Sequence, residues 1–172
     1  VARYTLGQLR IVDRIKETVR LAEGLDVNGG LRPDVVARAL DCLARFGQKL
    51  RSVPPAQVRA IATNTVRQMR NPQSFLLPAE TALGHGIEVV AGREEARLVY
   101  LGVAHALPPA ENKRLVVDIG GGSTELIVGQ GLKPKLMESL YMGCVSSSLR
   151  HFPDGRVDKK SLKAALLEAR QE

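Results

Sequence analysis

The densest chemistry in this 172-residue chain lies in Val116-Val117-Asp118-Ile119-Gly120-Gly121-Gly122-Ser123-Thr124-Glu125-Leu126. An apolar run meets three consecutive glycines and a second apolar run follows, so the pattern predicts two strands joined by a turn. Glycine tolerates positive φ and carries no Cβ, which lets successive backbone N–H groups converge on an anion. Asp118 is expected to close the first strand and Glu125 to open the second, with both carboxylates directed into one cleft. Two carboxylates beside a phosphate cradle suit Mg²⁺, a hard cation that prefers oxygen and keeps several waters. A glycine hairpin with no ligand is the plain alternative, although such a turn needs neither three glycines nor two flanking acids. The segment is not the G-x-x-x-x-G-K-[ST] phosphate loop, because no lysine follows the glycines. Nor is it a dinucleotide fingerprint, because the turn leads into a strand and not a helix. No Ser-His-Asp or Cys-His arrangement emerges: His85, His105 and His151 read as structural or solvated, and Cys144 has no base beside it.

The elements that must hold this turn follow from periodicity. Leu9, Ile11, Ile15, Val19 and Leu21 alternate roughly with polar residues, predicting two extended segments, and Leu25–Gly30 reads as a loop. Pro33 marks a helix start, and Val36, Leu40, Leu43, Phe46 and Leu50 at three- and four-residue spacing carry the helix to Pro54-Pro55. A short strand over 58–62 precedes the turn Thr63-Asn64-Thr65 and a helical stretch interrupted at Asn71-Pro72. Another helix is expected to run to Gly84, then a strand over 87–90 and a helix over 93–106. After the glycine turn, 136–141 reads as extended, 144–152 as a short helix beginning around Ser146-Ser147-Ser148, and 159–170 as a helix capped by Asp158. This order describes an α/β domain with a mixed sheet flanked by helices.

Composition sets limits on partners. Aromatic residues make up 3% of the chain and Trp is absent, so Leu, Val, Ile and Ala must fill the core, and base stacking on single-stranded nucleic acid is disfavoured. The net charge of +7 favours anionic partners, yet no run of basic residues occurs, and the charge also serves solubility. Cys42 and Cys144 lie far apart among apolar residues and are expected to be buried free thiols in a reducing cytoplasm. No apolar run reaches bilayer length and no signal peptide is apparent. The start Val1-Ala2-Arg3, without Met, suggests a piece of a longer protein.

Ala62-Thr63-Asn64-Thr65-Val66-Arg67-Gln68, Gly92-Arg93-Glu94-Glu95-Ala96-Arg97-Leu98, the Asp118–Glu125 turn and Met142-Gly143-Cys144-Val145 occur in succession. The glycine turn resembles the second phosphate loop of the actin-like superfamily, which includes sugar kinases, acetate kinases and Hsp70 chaperones. The four segments together resemble the exopolyphosphatase/guanosine-pentaphosphate phosphohydrolase (Ppx/GppA) family, in the right order along nearly the whole chain. The resemblance implies an actin-like, RNase H-like α/β fold, with residues 1–113 as a first subdomain and 114–172 as the start of a second. It implies Mg²⁺-dependent hydrolysis of terminal phosphoanhydrides of polyphosphate or guanosine pentaphosphate, and it admits K⁺ as a further cation. Guanosine tetraphosphate is a further ligand, and cytoplasmic location and a full-length homodimer are what the family leads one to expect, with peripheral membrane association open.

Carried over by position, Glu95 would be the general base that activates water. Arg67, Gly120, Gly121, Gly122 and Ser123 would bind phosphate, and Asp118 and Glu125 would hold the metal, directly or through water. Taken alone, Glu94 and Glu95 are equivalent carboxylates at a helix N-terminus, where the macrodipole favours negative charge. Only the family motif selects Glu95. The family's first phosphate loop, expected before Val1, is not in this sequence, so the segment by itself is expected to be weakly active or inactive. A phosphotransferase of the same superfamily and a non-catalytic sensor of guanosine tetraphosphate or polyphosphate are the competing readings. The first lacks a visible acceptor pocket, and the second has no use for a water-activating base.

Overall fold

The computed structural model describes residues 1–6, 8–109 and 111–172, with Gln8 and Leu9 described by their backbone alone, so the inward role expected of the Leu9 side chain lies outside the described residues. The chain opens with an antiparallel hairpin of β1 (Ala2–Thr5) and β2 (Gln8–Ile11). The second extended segment expected through Ile15 and Val19 is not a strand. Residues 12–20 form no regular element and are laid along the first helix, α1 (Pro33–Leu50). Asp13 meets Lys49 at 3.9 Å, Glu17 pairs with Arg45, and Arg38 Nε donates to the Val19 carbonyl at 3.0 Å. Of the apolar alternation, Val19 and Leu21 pack against the first core, whereas Ile11, expected to face a core, is exposed on the hairpin. A 3₁₀ turn, Leu21–Gly24, then leads into the loop before α1.

Proline at the first turn starts α1, and Val35, Ala39 and Cys42 form its buried stripe. After it come β3 (Ala60–Ala62), the short α2 (Asn64–Arg67), α3 (Gln73–Leu83) and β4 (Ile87–Val89), with β3 and β4 paired in parallel. Ala39, Val66, Met69, Phe75, Leu76 and Ala79 close one core cluster between α1, the α2 region and α3.

A second cluster belongs to α4 (Gly92–Ala106) and a three-stranded antiparallel sheet of β5 (Lys113–Ile119), β6 (Thr124–Gln130) and β7 (Lys133–Leu140). Ala96, Tyr100 and Ala104 recur every four residues on α4 and face Val116 and Ile127 of the sheet. The two alanines let the helix sit close, and the Tyr100 hydroxyl donates to the Gly131 carbonyl at 3.0 Å. Complete burial of Ile127 is worth about 1.5–3 kcal/mol. On the opposite sheet face Leu115, Val117, Ile119, Leu126 and Leu136 are exposed. The chain ends with α5 (Cys144–His151) and α6 (Lys159–Ala169); Asp158 caps α6 by accepting from the Ser161 amide at 2.8 Å, and Glu168 holds Arg150 and His151 of α5. Parallel and antiparallel strands are both present, as expected of a mixed α/β fold, but among the described residues they pair as three separate sheets.

Cys42 is buried, and desolvation followed by the neighbouring Glu17 carboxylate pushes its thiol pKa up. Cys144, expected to be buried as well, is exposed. Its backbone amide is bonded to the Gly120 carbonyl at the start of α5. Among the described residues no helix is long and apolar enough to cross a membrane.

Candidate active site

The glycine turn joins β5 to β6, and each strand runs one residue further toward the turn than expected. Gly120 N donates to the Ser123 carbonyl at 2.9 Å and closes the turn. None of Gly120, Gly121 and Gly122 has a positive φ, so the expected left-handed backbone is not what requires glycine here. Space does. A Cβ on Gly122 would lie 2.5 Å from Asn64 Nδ2, and one on Gly143 would lie 2.5 Å from both Gly121 C and Gly122 N. Gly143 thus lets α5 press onto the turn. There the amides of Cys144, Val145 and Ser146 donate to the carbonyls of Gly120 and Gly121 at 2.9–3.0 Å. The first-turn amides of α5, which would otherwise lack partners, are satisfied by the turn's oxygens. The amides of Gly121, Gly122 and Ser123 make no hydrogen bond to the described residues, so the turn presents donors without acceptors. Successive unpaired N–H groups in a turn are suited to binding an anion.

Asp118 stands directly opposite Glu125 in the β5–β6 register, and directly opposed residues share a sheet face. The two carboxylates differ in environment. Asp118 is exposed, whereas Glu125 is 1% exposed and accepts a hydrogen bond from Ser139 Oγ at 2.8 Å. Desolvation pushes the Glu125 carboxyl above its usual range. The Ser139 and Ser123 hydroxyls oppose that rise, and the charges of Glu95 and Asp118 add to it. A buried carboxylate among like charges is a site short of a cation. Among the described residues no cluster of three or more His, Cys, Asp or Glu forms a complete metal cage. One or two carboxylates are the usual complement for Mg²⁺, which retains its waters, so Asp118 and Glu125 fit that ion.

The facing wall comes from α2 and α4. Arg67 Nη1 donates to Glu95 Oε2 and to the Val90 carbonyl, both at 2.8 Å. The side chains of Arg67 and Glu95 are 16% and 15% exposed. Glu94 turns away to Arg97, with bonds of 2.7 and 2.8 Å, and that partner holds its carboxyl below the ordinary range. The structure therefore separates two acids that the sequence leaves equivalent: Glu95 faces the cluster and Glu94 does not. Gly92, at the start of α4, seats this wall against the sheet, since a Cβ there would lie 2.6 Å from Ser139 Oγ. Arg67, Glu95, Asp118, Glu125 and the Gly120–Ser123 turn are thus brought into one neighbourhood. Sequence reasoning assigned no role to Ser139, which ties Glu125, to Gly143, which admits α5, or to Asn64, buried beside Gly122. Asn64 had a signal, since it precedes Arg67 by one turn in the Ala62–Gln68 segment; Ser139 had none.

A turn with unpaired amides, opposed carboxylates and an Arg–Glu wall come together on an α/β scaffold. Residues 1–172 match the Ppx/GppA phosphatase family, and the chain belongs to it. It is 42% identical over 171 residues to the guanosine-5'-triphosphate,3'-diphosphate pyrophosphatase of Vibrio cholerae, covering 99% of this chain and 34% of that protein. A crystal structure of an exopolyphosphatase-like protein superposes with a TM-score of 0.90 at 27% identity, over 99% of this chain and 54% of that one. The Aquifex aeolicus PPX-GPPA enzyme superposes at 0.75 with 29% identity, over 95% and 55% of the two chains. The mixed α/β fold is the one these family structures share. The chain spans about a third of the length of the curated relatives it matches.

Proposed function

We propose that the protein hydrolyses terminal phosphoanhydride bonds of guanosine pentaphosphate or inorganic polyphosphate, releasing phosphate with the help of Mg²⁺. The observation that carries this reading is the Arg67–Glu95 pair standing across from the buried Glu125 and the unpaired amides of the Gly120–Ser123 turn. In phosphoryl transfer, positioning and charge neutralisation supply most of the rate. The turn's N–H groups receive non-bridging oxygens of the phosphoryl group. Arg67 offers the remaining edge of its guanidinium, since Nη1 is committed to Val90 and Glu95. Glu95 Oε2 is held by Arg67, which leaves Oε1 to accept the proton of the attacking water. Asp118 and Glu125 would hold Mg²⁺, whose charge offsets that of the phosphates. The substrate would lie between the α2–α4 wall and the Gly120–Ser123 turn; the division into subdomains at 113/114 runs through the core that α4 shares with the β5–β7 sheet.

Both substrates have support among the relatives, one named for guanosine pentaphosphate and one for exopolyphosphatase likeness. Phosphate release from each, by the protein in its full length with Mg²⁺, tests the reading. Glu95→Gln is expected to lower kcat by about 10²–10⁴-fold with binding kept. Unchanged turnover in that variant would move the base elsewhere. Tight binding with no turnover in the wild type would replace hydrolysis with ligand sensing.

A further inference from the structure

Asn64 is 5% exposed, and its carboxamide is committed on one side only. Gln68 Nε2 donates to Asn64 Oδ1 at 3.2 Å, which fixes the amide with its Nδ2 turned to the glycine loop. That nitrogen lies where a side chain at position 122 would begin, 2.5 Å from the Cβ that Gly122 lacks. It makes no hydrogen bond to the described residues. A donor on a nearly buried side chain with no protein acceptor is open to a ligand oxygen. Nor is the nitrogen sealed in: among the described residues no side-chain nitrogen or oxygen is both shut off from solvent and unpaired. Nδ2 therefore keeps some access to solvent while lying against Gly122.

Other donors at the loop also lack a partner. The amides of Gly121, Gly122 and Ser123 are unpaired on the loop side. Arg67 follows Asn64 by three residues, and on a helical turn that spacing puts both side chains on one face. Carboxamide N–H, backbone N–H and guanidinium N–H thus lie close together at the loop, and all of them are donors. A water could satisfy one of these groups, but a tetrahedral oxyanion satisfies the set.

We propose that Asn64 is a further phosphate-contacting residue, its Nδ2 donating to a non-bridging oxygen of the phosphoryl group seated on the Gly120–Ser123 loop. This rests on the phosphohydrolase reading above and adds to it a neutral donor. A neutral donor positions the phosphoryl group without competing with the metal-binding carboxylates for charge. Gln68 acts on the same contact from behind, as a positioning residue that keeps the amide from flipping.

The test has a binding arm and a kinetic arm, both on the full-length protein. In the wild type, the assigned side-chain amide resonance of Asn64 is followed by ¹⁵N NMR during titration with inorganic phosphate. It should shift saturably, and a resonance that stays fixed while phosphate binds would overturn the proposal. In the kinetic arm Asn64→Asp keeps the shape but replaces the donor by an anionic acceptor. Its kcat/KM for phosphate release should fall about 10- to 100-fold, the worth of a hydrogen bond to a charged group. Gln68→Ala should show a smaller fall, mainly in KM. If Asn64→Asp turns over at the wild-type rate, the proposal fails while the hydrolase reading stands. If the wild type hydrolyses neither substrate, the hydrolase reading fails, and the resonance still decides whether Asn64 meets phosphate. Should Asn64→Asp not fold, the wild-type resonance decides alone.

Discussion

Two walls meet at the candidate site, and they are held by different means. The Gly120–Ser123 wall is backbone: its donors are main-chain amides, and its shape depends on atoms that are missing at Gly122 and Gly143. The α2–α4 wall is side chain: its groups are Arg67, Glu95 and Asn64, and its shape depends on an ion pair and a carboxamide contact. The first wall has little slack at Gly143, because what that residue abuts is main chain that cannot rotate away. The second has the slack of rotamers but little tolerance for a change of charge. Small additions should therefore break the first wall, and removal or neutralisation of charge should break the second.

The largest effect is expected where the backbone wall is tightest. Gly143→Val would drive a Cβ to within 2.7 Å of three main-chain atoms of the turn, and the α5 amides could no longer reach the Gly120 and Gly121 carbonyls. Overpacking against rigid atoms costs about 1–3 kcal/mol and occasionally more. Thermal unfolding should move to lower temperature, and phosphate release should be lost. A variant that kept its activity would show that the turn can relax, and the contrast between the walls would go with it.

Next comes the side-chain wall. Arg67→Ala leaves the Glu95 carboxylate largely buried without its partner and strips the Val90 carbonyl of a donor. Breaking a buried pair on one side costs about 3–5 kcal/mol, and the residual exposure of this one puts it at the lower end. Denaturant unfolding should report the loss, and Arg67→Lys should restore part of the stability but less of the activity, since an ammonium cannot reproduce the guanidinium fork. Equal recovery of both would mean that Arg67 supplies only charge.

The scaffold was legible in the sequence wherever a local period dominates. The α1 and α4 helices, the β5–β6 turn and the Asp158 cap all rest on neighbours within a few residues, and each lies where the pattern put it, although the fully buried stripe of α1 is Val35, Ala39 and Cys42, one residue ahead of the larger side chains expected to form it. Residues 12–20 were misread as extended because alternation shows which side chains are apolar, not what covers them; a helix does. Cys144 sits in an apolar context along the chain, yet α5 leaves it outside. The site was half legible. Glycines flanked by acids announced the backbone wall. The side-chain wall is assembled by contacts between distant segments, such as Arg67 with Glu95 28 residues later and Ser139 with Glu125, which no local spacing encodes.

A smaller effect, opposite in sign, is expected at Glu125. Burial raises its carboxyl, so the folded state holds the proton more tightly than the unfolded chain does. For such a group stability is fullest below the ordinary carboxyl range and falls as pH rises through the raised folded-state value. Glu125→Gln removes the charge, so without divalent cation the variant should be more stable than the wild type at neutral pH. The gap should close as the solution is acidified. Mg²⁺ should stabilise the wild type and leave the variant unmoved. A variant that is less stable at neutral pH would mean that the Ser139 contact outweighs desolvation.

The smallest effect is the one that isolates geometry from sequence. Glu94 and Glu95 are adjacent, of one type, and in the first turn of one helix, so any account based on helix position or charge treats them alike. They part only because Arg97, three residues on, takes Glu94 at the surface, while Arg67 takes Glu95 inward. Glu94→Gln removes a partly exposed ion pair, and surface changes of that kind stay within about 0.5 kcal/mol, or roughly twofold in a rate or equilibrium. Phosphate release and thermal midpoint should therefore match the wild type within that margin, against the large loss expected for Glu95→Gln. If Glu94→Gln is as damaging as Glu95→Gln, the first turn of α4 acts as a pool of negative charge. The side-chain wall would then be electrostatic in a general sense and not a placed base.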